Sequence, residues 1–221
     1  KSKELKIAIK AALESGKILE KYFEMEILKE FKEDKSIVTL ADKESENIIK
    51  KIISQAFPTH SILGEETGMT KGKSDYVWHV DPIDGTRNFA NGIPIFAVSI
   101  ALVYRNEVMV GVVYNSATCS LFYAEKGKGA YFNDKRIYVS KDDRKRSIIT
   151  FASGAKDLDR RLVLDLFHDL ANQVVNSTRK LGCTALDLAY VARGGIEATI
   201  QLGFSTYDFA AGTLLVQEAR G

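Results

Sequence analysis

The sequence predicts a mixed α/β (α+β) protein, on three observations. Apolar residues recur at helical spacing in the first part of the chain, short β-branched runs follow through its middle, and strands alternate with helices towards its end. The 221 residues are 45% hydrophobic and 27% charged, enough apolar content for a sizeable core and unlike a disordered chain. A formal net charge of +2 lacks the basic excess of a dedicated nucleic-acid binder. Any phosphate chemistry must therefore come from a local site.

The first helix is predicted from Ile7, Ala8, Ala11, Ala12, Ser15, Leu19, Tyr22 and Phe23, spaced three and four apart. A polar break at 32–36 leads into Ile37-Val-Thr39. A second amphipathic helix is expected from Asp42 to Phe57, with Ile48, Ile49, Ile52, Ile53 and Phe57 on one stripe. Asp42 suits its first turn, where a carboxylate meets the positive end of the dipole, and Pro58 ends it. Ser61–Leu63 and Tyr76–Val80 then read as strands, each followed directly by acids. Ala97–Tyr104, Val108–Tyr114, Leu121–Ala124 and Ala130–Phe132, separated by short polar turns, predict an antiparallel meander.

The charged run Lys141–Arg146 is the expected boundary between an N-terminal α+β lobe (about 1–143) and a C-terminal α/β lobe (about 144–221) of one compact unit. Ile148–Phe151 and Ile196–Leu202 read as strands. Asp159–Asn172 (apolar face Leu162, Leu166, Phe167, Leu170), Ala185–Arg193 and Asp208–Ala219 read as helices. With the chain stopping after that helix, a continuation beyond Gly221 is expected. Cys119 and Cys183 have no CxxC partner, which excludes a disulfide framework and a zinc-thiolate site; a buried reduced pair is expected. No apolar run reaches the roughly 18–20 residues of a membrane span, so a cytoplasmic protein is expected, with neither membrane nor nucleic acid as partner.

The densest chemical signal is Asp81-Pro-Ile-Asp-Gly-Thr86 at the exit of a strand. Pro82 restrains the backbone and Gly85 permits a sharp turn, so the carboxylates of Asp81 and Asp84 can converge. Converging carboxylates repel, and a divalent cation is their natural occupant; oxygen ligands suit Mg²⁺, Mn²⁺ or Ca²⁺ rather than zinc or copper. Glu65 and Glu66 after a strand, and Asp208 at a helix start, add further acids. The histidines His60, His79 and His168 share no spacing with these acids, and a structural role is expected for His79. Gly127-Lys-Gly-Ala130 is read as a turn between strands.

Gly64-Glu65-Glu66, Trp78-His-Val-Asp-Pro-Ile-Asp-Gly-Thr-Arg-Asn-Phe89 and Tyr207-Asp-Phe-Ala-Ala-Gly212 resemble motifs of the inositol monophosphatase family. Val38–Asp42, Gly127–Ala130 and Leu181-Gly182 extend the resemblance over nearly the whole chain. It implies a layered α/β/α/β/α sugar-phosphatase fold and a Mg²⁺-dependent, lithium-sensitive phosphomonoesterase that forms a homodimer. It further implies that Glu65, Asp81 and the Ile83 carbonyl hold one Mg²⁺, and that Asp81, Asp84 and Asp208 hold a second. A third ion would involve Glu65 and, through water, Asp42; Mn²⁺ is an alternative metal. Two ions sharing Asp81 should lie roughly 3.5–4 Å apart.

The resemblance assigns catalysis to Glu65, Thr86 and Asp42, with Glu65 and the Thr86 hydroxyl positioning and deprotonating a metal-bound water. Substrate contacts fall to Asp84, the backbone of Gly85 and Thr86, Gly182, Gln201 and Asp208. Gln201 stands where inositol-hydrolysing members often carry a carboxylate, and Tyr207 where Trp is commoner. The implied substrate is a small phosphate ester, inositol monophosphate first. Fructose 1,6-bisphosphate, histidinol phosphate and 3′-phosphoadenosine 5′-phosphate are the alternatives, and a catalytically silent binding module is the reading from another class.

Overall fold

The computed structural model describes residues 1–23, 29–31, 37–141, 147–154, 156–173 and 177–221. The polar break at 32–36 and the expected lobe boundary at 142–146 lie outside the described residues. Helix α1 (Lys3–Phe23) is followed by an antiparallel ribbon of β1 (Lys29–Phe31) and β2 (Ile37–Thr39), then by α2 (Leu40–Ala56). Next come β3 (Ser61–Gly64), β4 (Gly68–Thr70), β5 (Tyr76–Asp84), the short α3 (Thr86–Phe89), β6 (Ala97–Tyr104), β7 (Glu107–Asn115), β8 (Ser120–Glu125), β9 (Ala130–Phe132) and β10 (Lys135–Ile137). The eight strands from β3 onward form one sheet in the order β10-β9-β8-β7-β6-β5-β3-β4. From β5 to β10 every neighbour is antiparallel, the expected meander, while β3 lies parallel to β5.

The rest of the chain supplies β11 (Ile148–Ser153), α4 (Asp157–Gln173), β12 (Ser177–Arg179), α5 (Thr184–Ala192), β13 (Ala198–Leu202) and α6 (Thr206–Glu218). Here β12, β11 and β13 pair in parallel. Helices α1 and α2 cover one face of the large sheet, and α6 covers the other. Helix α5 packs against α6 and touches both sheets, and α4 lies on the small sheet. The layers therefore run α/β/α/β/α.

Period-two alternation divides the core. Val98, Ile100 and Leu102 of β6 and Val110, Val112 and Tyr114 of β7 join a cluster with Leu5, Ala8 and Leu19 of α1 and Ile49 and Ile53 of α2. Ala97 and Ala101 of β6, Val113 of β7 and Phe122 and Ala124 of β8 join a second cluster with Leu186 of α5 and Ala210, Ala211 and Leu215 of α6. Small residues dominate this second face because the helix sits very close: a Cβ on Gly111 would stand 2.7 Å from the Ala211 carbonyl oxygen.

Several boundaries differ from expectation. Strand β5 does not end at Val80 but continues to Asp84, with a register shift between Asp81 and Asp84. Asp81 pairs with Ser99 and Asp84 with Ala97, so β5 carries one extra residue there. Pro82 has no N–H for the ladder, and a bulge accommodates it. Asp208 is the third residue of α6 rather than its first, because Ser205 takes the capping position. On α4, Leu162 and Leu166 are exposed and Val163 is buried instead, since this outermost helix is covered on one side only. The side chain of Leu170 lies outside the described residues. The cysteines are both free, but only Cys183 is buried; Cys119, in an exposed turn between β7 and β8, is not. Among the described residues no helix is long and apolar enough to cross a membrane.

Candidate active site

The site is built where β5 bulges. Trp78 and Val80 of β5 belong to the core cluster beneath α1 and α2. The intervening His79 meets α6, its Nδ1 lying 2.7 Å from the Thr206 hydroxyl. Burial lowers the pKa of His79, and this satisfied contact is the structural role expected for it. His60 is likewise structural: its Nδ1 accepts from the Trp78 indole at 3.1 Å, and its ring stacks on Phe57 and Tyr76. His168 is exposed beside Asp169 on α4.

Asp81 is 1% exposed, and its Oδ1 accepts the Ile83 N–H at 3.0 Å across the bulge. Its carboxyl is pushed well above the usual carboxylate range, first by burial and then by the charges of Glu65, Asp84, Asp208 and Asp42. Those four acids come from the turn after β3, the end of β5, the first turn of α6 and the first turn of α2. Four of the sequence-predicted acids thus lie within electrostatic reach of a fifth, Asp81, and Glu66 is not among them.

The other acids are individually held. Asp84 Oδ2 accepts the Ala185 N–H at 2.5 Å and the Cys183 thiol at 3.2 Å. Burial raises its pKa to about 7, with those two donors opposing and the charges of Glu65 and Asp187 reinforcing. Asp208 Oδ2 accepts the Ser205 N–H at 2.6 Å. Burial and the Asp84 charge raise it to about 7, against the Ser205 N–H and the Asp81 carboxyl. Asp42 is 1% exposed, and the Glu65 N–H donates to the Val80 carbonyl at 3.1 Å, tying the acidic turn to β5.

The turn at Gly85 has φ +89°, and a Cβ there would stand 2.9 Å from the Ile95 carbonyl oxygen and 3.2 Å from that of Gly182. Only glycine meets both demands. The Thr86 hydroxyl donates to the Ile83 carbonyl at 2.9 Å. Asn88 locks the neighbouring loop, its amide donating to the Ile95 and Leu181 carbonyls at 2.7 and 2.8 Å. The predicted contact residue Gly182 is held there at φ +78°. Gln201 is directed at the protein: its amide donates to the Thr184 carbonyl at 3.3 Å and the Thr199 hydroxyl at 3.2 Å. It also lines a cleft of about 380 Å³ with Leu188, Leu202, Phe204, Phe209 and Thr213.

Carboxylates with one backbone carbonyl form a donor set suited to hard divalent cations. The charges of four acids raise the proton affinity of Asp81, a setting matched to positive charge, so the residues fit such an ion. Among the described residues, no three His, Cys, Asp or Glu side chains already converge as a ready-made cage. Asp84 Oδ2 is engaged by Cys183 and Ala185, and Asp208 Oδ2 by the Ser205 N–H of its own helix start.

Sequence reasoning missed Glu46. The signal was available: Asp42, Ser45 and Glu46 share the buried stripe of α2 with Ile49, Ile52 and Ile53, and charged residues on an apolar stripe call for partners. It also missed Cys183, whose thiol carries no sequence signature, and Asp187, a carboxyl with no exposure inside α5.

A chain from Mesorhizobium japonicum named inositol-1-monophosphatase is 40% identical over 98% of this chain and 83% of its own length. One from Aquifex aeolicus named fructose-1,6-bisphosphatase/inositol-1-monophosphatase is 39% identical over 99% and 84%. One from Pasteurella multocida named Nus factor SuhB is 39% identical over 98% and 83%. The crystal structure of the extragenic suppressor protein suhB from Bartonella henselae superposes with a TM-score of 0.92 at 35% identity, covering 99% of this chain and 85% of that one. A sequence model of the inositol monophosphatase family matches residues 1–221, and the chain belongs to that family.

Proposed function

We propose that this chain is a Mg²⁺-dependent phosphomonoesterase acting on a small phosphate ester, inositol monophosphate before others. The observation that carries this reading is the burial of Asp81 among Glu65, Asp84, Asp208 and Asp42. A protein does not bury an acid among four more for stability alone, because each added charge raises the cost of ionising it. Glu65, Asp81, Asp84, Asp208 and the Ile83 carbonyl are the groups that would hold the metal, with Asp42 contributing through water. Bound there, divalent ions supply charge to neutralise the phosphoryl oxygens and lower the pKa of water.

The chain's own groups then have defined tasks. The N–H groups of Gly85 and Thr86 orient phosphate oxygens at the sharp turn. A Glu65 carboxylate oxygen takes the proton of the attacking water, helped by the Thr86 hydroxyl that Ile83 holds in place. The water oxygen bonds to phosphorus, the ester P–O bond breaks, and the leaving oxygen takes a proton from solvent to become an alcohol, balanced by the proton that Glu65 returns to solvent. Gly182 and Gln201 would read the substrate's hydroxyl-bearing part, Gln201 by turning its amide from Thr184 and Thr199.

Fructose 1,6-bisphosphate is the second substrate reading, favoured by the name of the Aquifex aeolicus relative. Histidinol phosphate and 3′-phosphoadenosine 5′-phosphate follow. A catalytically silent, non-hydrolytic binding module is the reading from another class; the Pasteurella multocida relative carries the name Nus factor SuhB. The test is phosphate release from these four esters with Mg²⁺ or Mn²⁺, with EDTA, and with Li⁺. Metal-dependent turnover of one ester supports hydrolysis, and inhibition by Li⁺ extends the family likeness. No turnover by a chain that binds Mg²⁺ would overturn the reading in favour of the non-hydrolytic role.

A further inference from the structure

We infer that Glu46 is a positioning residue: its buried carboxylate clamps the turn 64–67 and thereby aims Glu65 into the acid cluster. Glu46 has no solvent exposure and lies one helical turn after Asp42 on α2. Both of its oxygens are engaged by that turn. Oε2 accepts the Glu66 N–H at 2.8 Å, and Oε1 accepts the Thr67 N–H at 3.1 Å and the Thr67 hydroxyl. The Thr67 hydroxyl in turn accepts from the Lys50 ammonium at 2.7 Å, one further helical turn along α2.

The fit is tight from the other side as well. A Cβ on Gly64 would stand 2.4 Å from Glu46 Oε1 and 2.6 Å from Oε2. A side chain at the position before Glu65 would have to displace the Glu46 carboxylate from the turn. With its acceptors taken up by the turn, Glu46 serves the site through Glu65 rather than as a ligand. One helix thus presents Asp42 to the cluster and, four residues on, sets the loop that carries Glu65. Charge-assisted bonds to backbone N–H groups are the stronger kind, and groups that orient a reacting side chain in this way cost about 10–100-fold in activity or metal affinity when removed.

The catalytic half of this inference rests on the hydrolytic reading, so its test carries a readout independent of turnover. In full-length Glu46→Gln, one of the two oxygens becomes an amide donor facing N–H groups. The expected result is a folded protein whose kcat falls about 10–100-fold with KM little changed. In the metal-free state, the Glu66 and Thr67 amides should exchange with deuterium faster than in the wild type. Thr67→Val, on the exposed side of the turn, removes the hydroxyl's bonds to Glu46 and Lys50 but keeps both N–H bonds to the carboxylate, and should shift both readouts the same way by less; it carries the test if Glu46→Gln does not fold. A purely structural Glu46 would lower the melting temperature while leaving kcat unchanged, and that result overturns the inference. If wild-type protein hydrolyses no phosphate ester, the hydrolytic reading fails by itself. Amide exchange then still decides, and protection of Glu66 and Thr67 that is unchanged in the variants overturns the clamp.

Discussion

The carboxylate of Asp84, at the end of β5, accepts a hydrogen bond from the thiol of Cys183, at the start of α5, across 3.2 Å. This bond and the Ala185 N–H beside it join the large sheet to the helical layer at the site itself. Removing the thiol in Cys183→Ala leaves Asp84 less restrained. The Mg²⁺ concentration for half-maximal activity is expected to rise about tenfold. Titrating activity with Mg²⁺ checks it, and an unchanged requirement would show that the Ala185 N–H suffices.

The same residue makes a second prediction. Burial, and then the Asp84 charge, push the Cys183 thiol well above its ordinary pKa, whereas Cys119 is exposed. Thiolate is the reactive form. In native protein at pH 8, one thiol per chain should react rapidly with a disulfide reagent and a second only after denaturation. Two fast thiols would contradict the burial of Cys183.

Asp84→Asn and Asp208→Asn each remove a negative charge from the proposed metal site. Turnover should fall by about a thousandfold or more, corresponding to several kcal/mol of lost transition-state stabilisation. The fold should survive, because asparagine at 208 still offers an oxygen to the Ser205 N–H and the capping cost stays near about 1 kcal/mol. Calorimetric unfolding beside kinetic assays separates the two effects, and wild-type rates in either variant would refute the metal assignment.

Asp187 sets a pH dependence of stability. Burial raises its pKa to about 7, and the neighbouring Thr150 hydroxyl and Gln201 amide offset only part of that. A carboxyl whose folded pKa lies above its unfolded value favours the folded state while protonated. That stability is complete below about pH 4 and is lost as pH rises to about 7. Asp187→Asn should therefore match the wild type near pH 4 and exceed it at pH 8, by an amount on the order of a few kcal/mol. Melting curves across that range test it, and a constant difference would mean Asp187 does not titrate in this window.

Gly111 lies where β7 passes under α6, with the Ala211 carbonyl oxygen 2.7 Å from the place of a Cβ. Gly111→Ala cannot be absorbed by a side-chain rotation, since the obstacle is backbone. It should cost about 1–3 kcal/mol. It should also lower activity, because α6 carries Asp208. Chemical denaturation measures the first effect and phosphate release the second.

The helices α1 and α2, the meander from β6 to β9 and the Asp81–Thr86 turn were legible in the sequence because each depends on residues close together in the chain. Periodicity marks which face is buried, and Pro82 and Gly85 constrain the backbone locally. The acids Glu65, Asp81, Asp84 and Asp208 were likewise visible as candidates. Their convergence was expected from the Asp81–Asp84 turn and from the family resemblance, but the contacts that hold each acid were not. Asp84 meets Cys183 across 99 positions of sequence, and Asp208 reaches the site only because Gly111 and Ala211 let α6 lie close on the sheet. Glu46 and Asp187 read as ordinary helix residues until packing removed water from them. The sequence therefore carries the elements and the chemical groups, whereas close packing of distant segments decides which carboxylates share a charge, which are held by hydrogen bonds, and which titrate near neutrality.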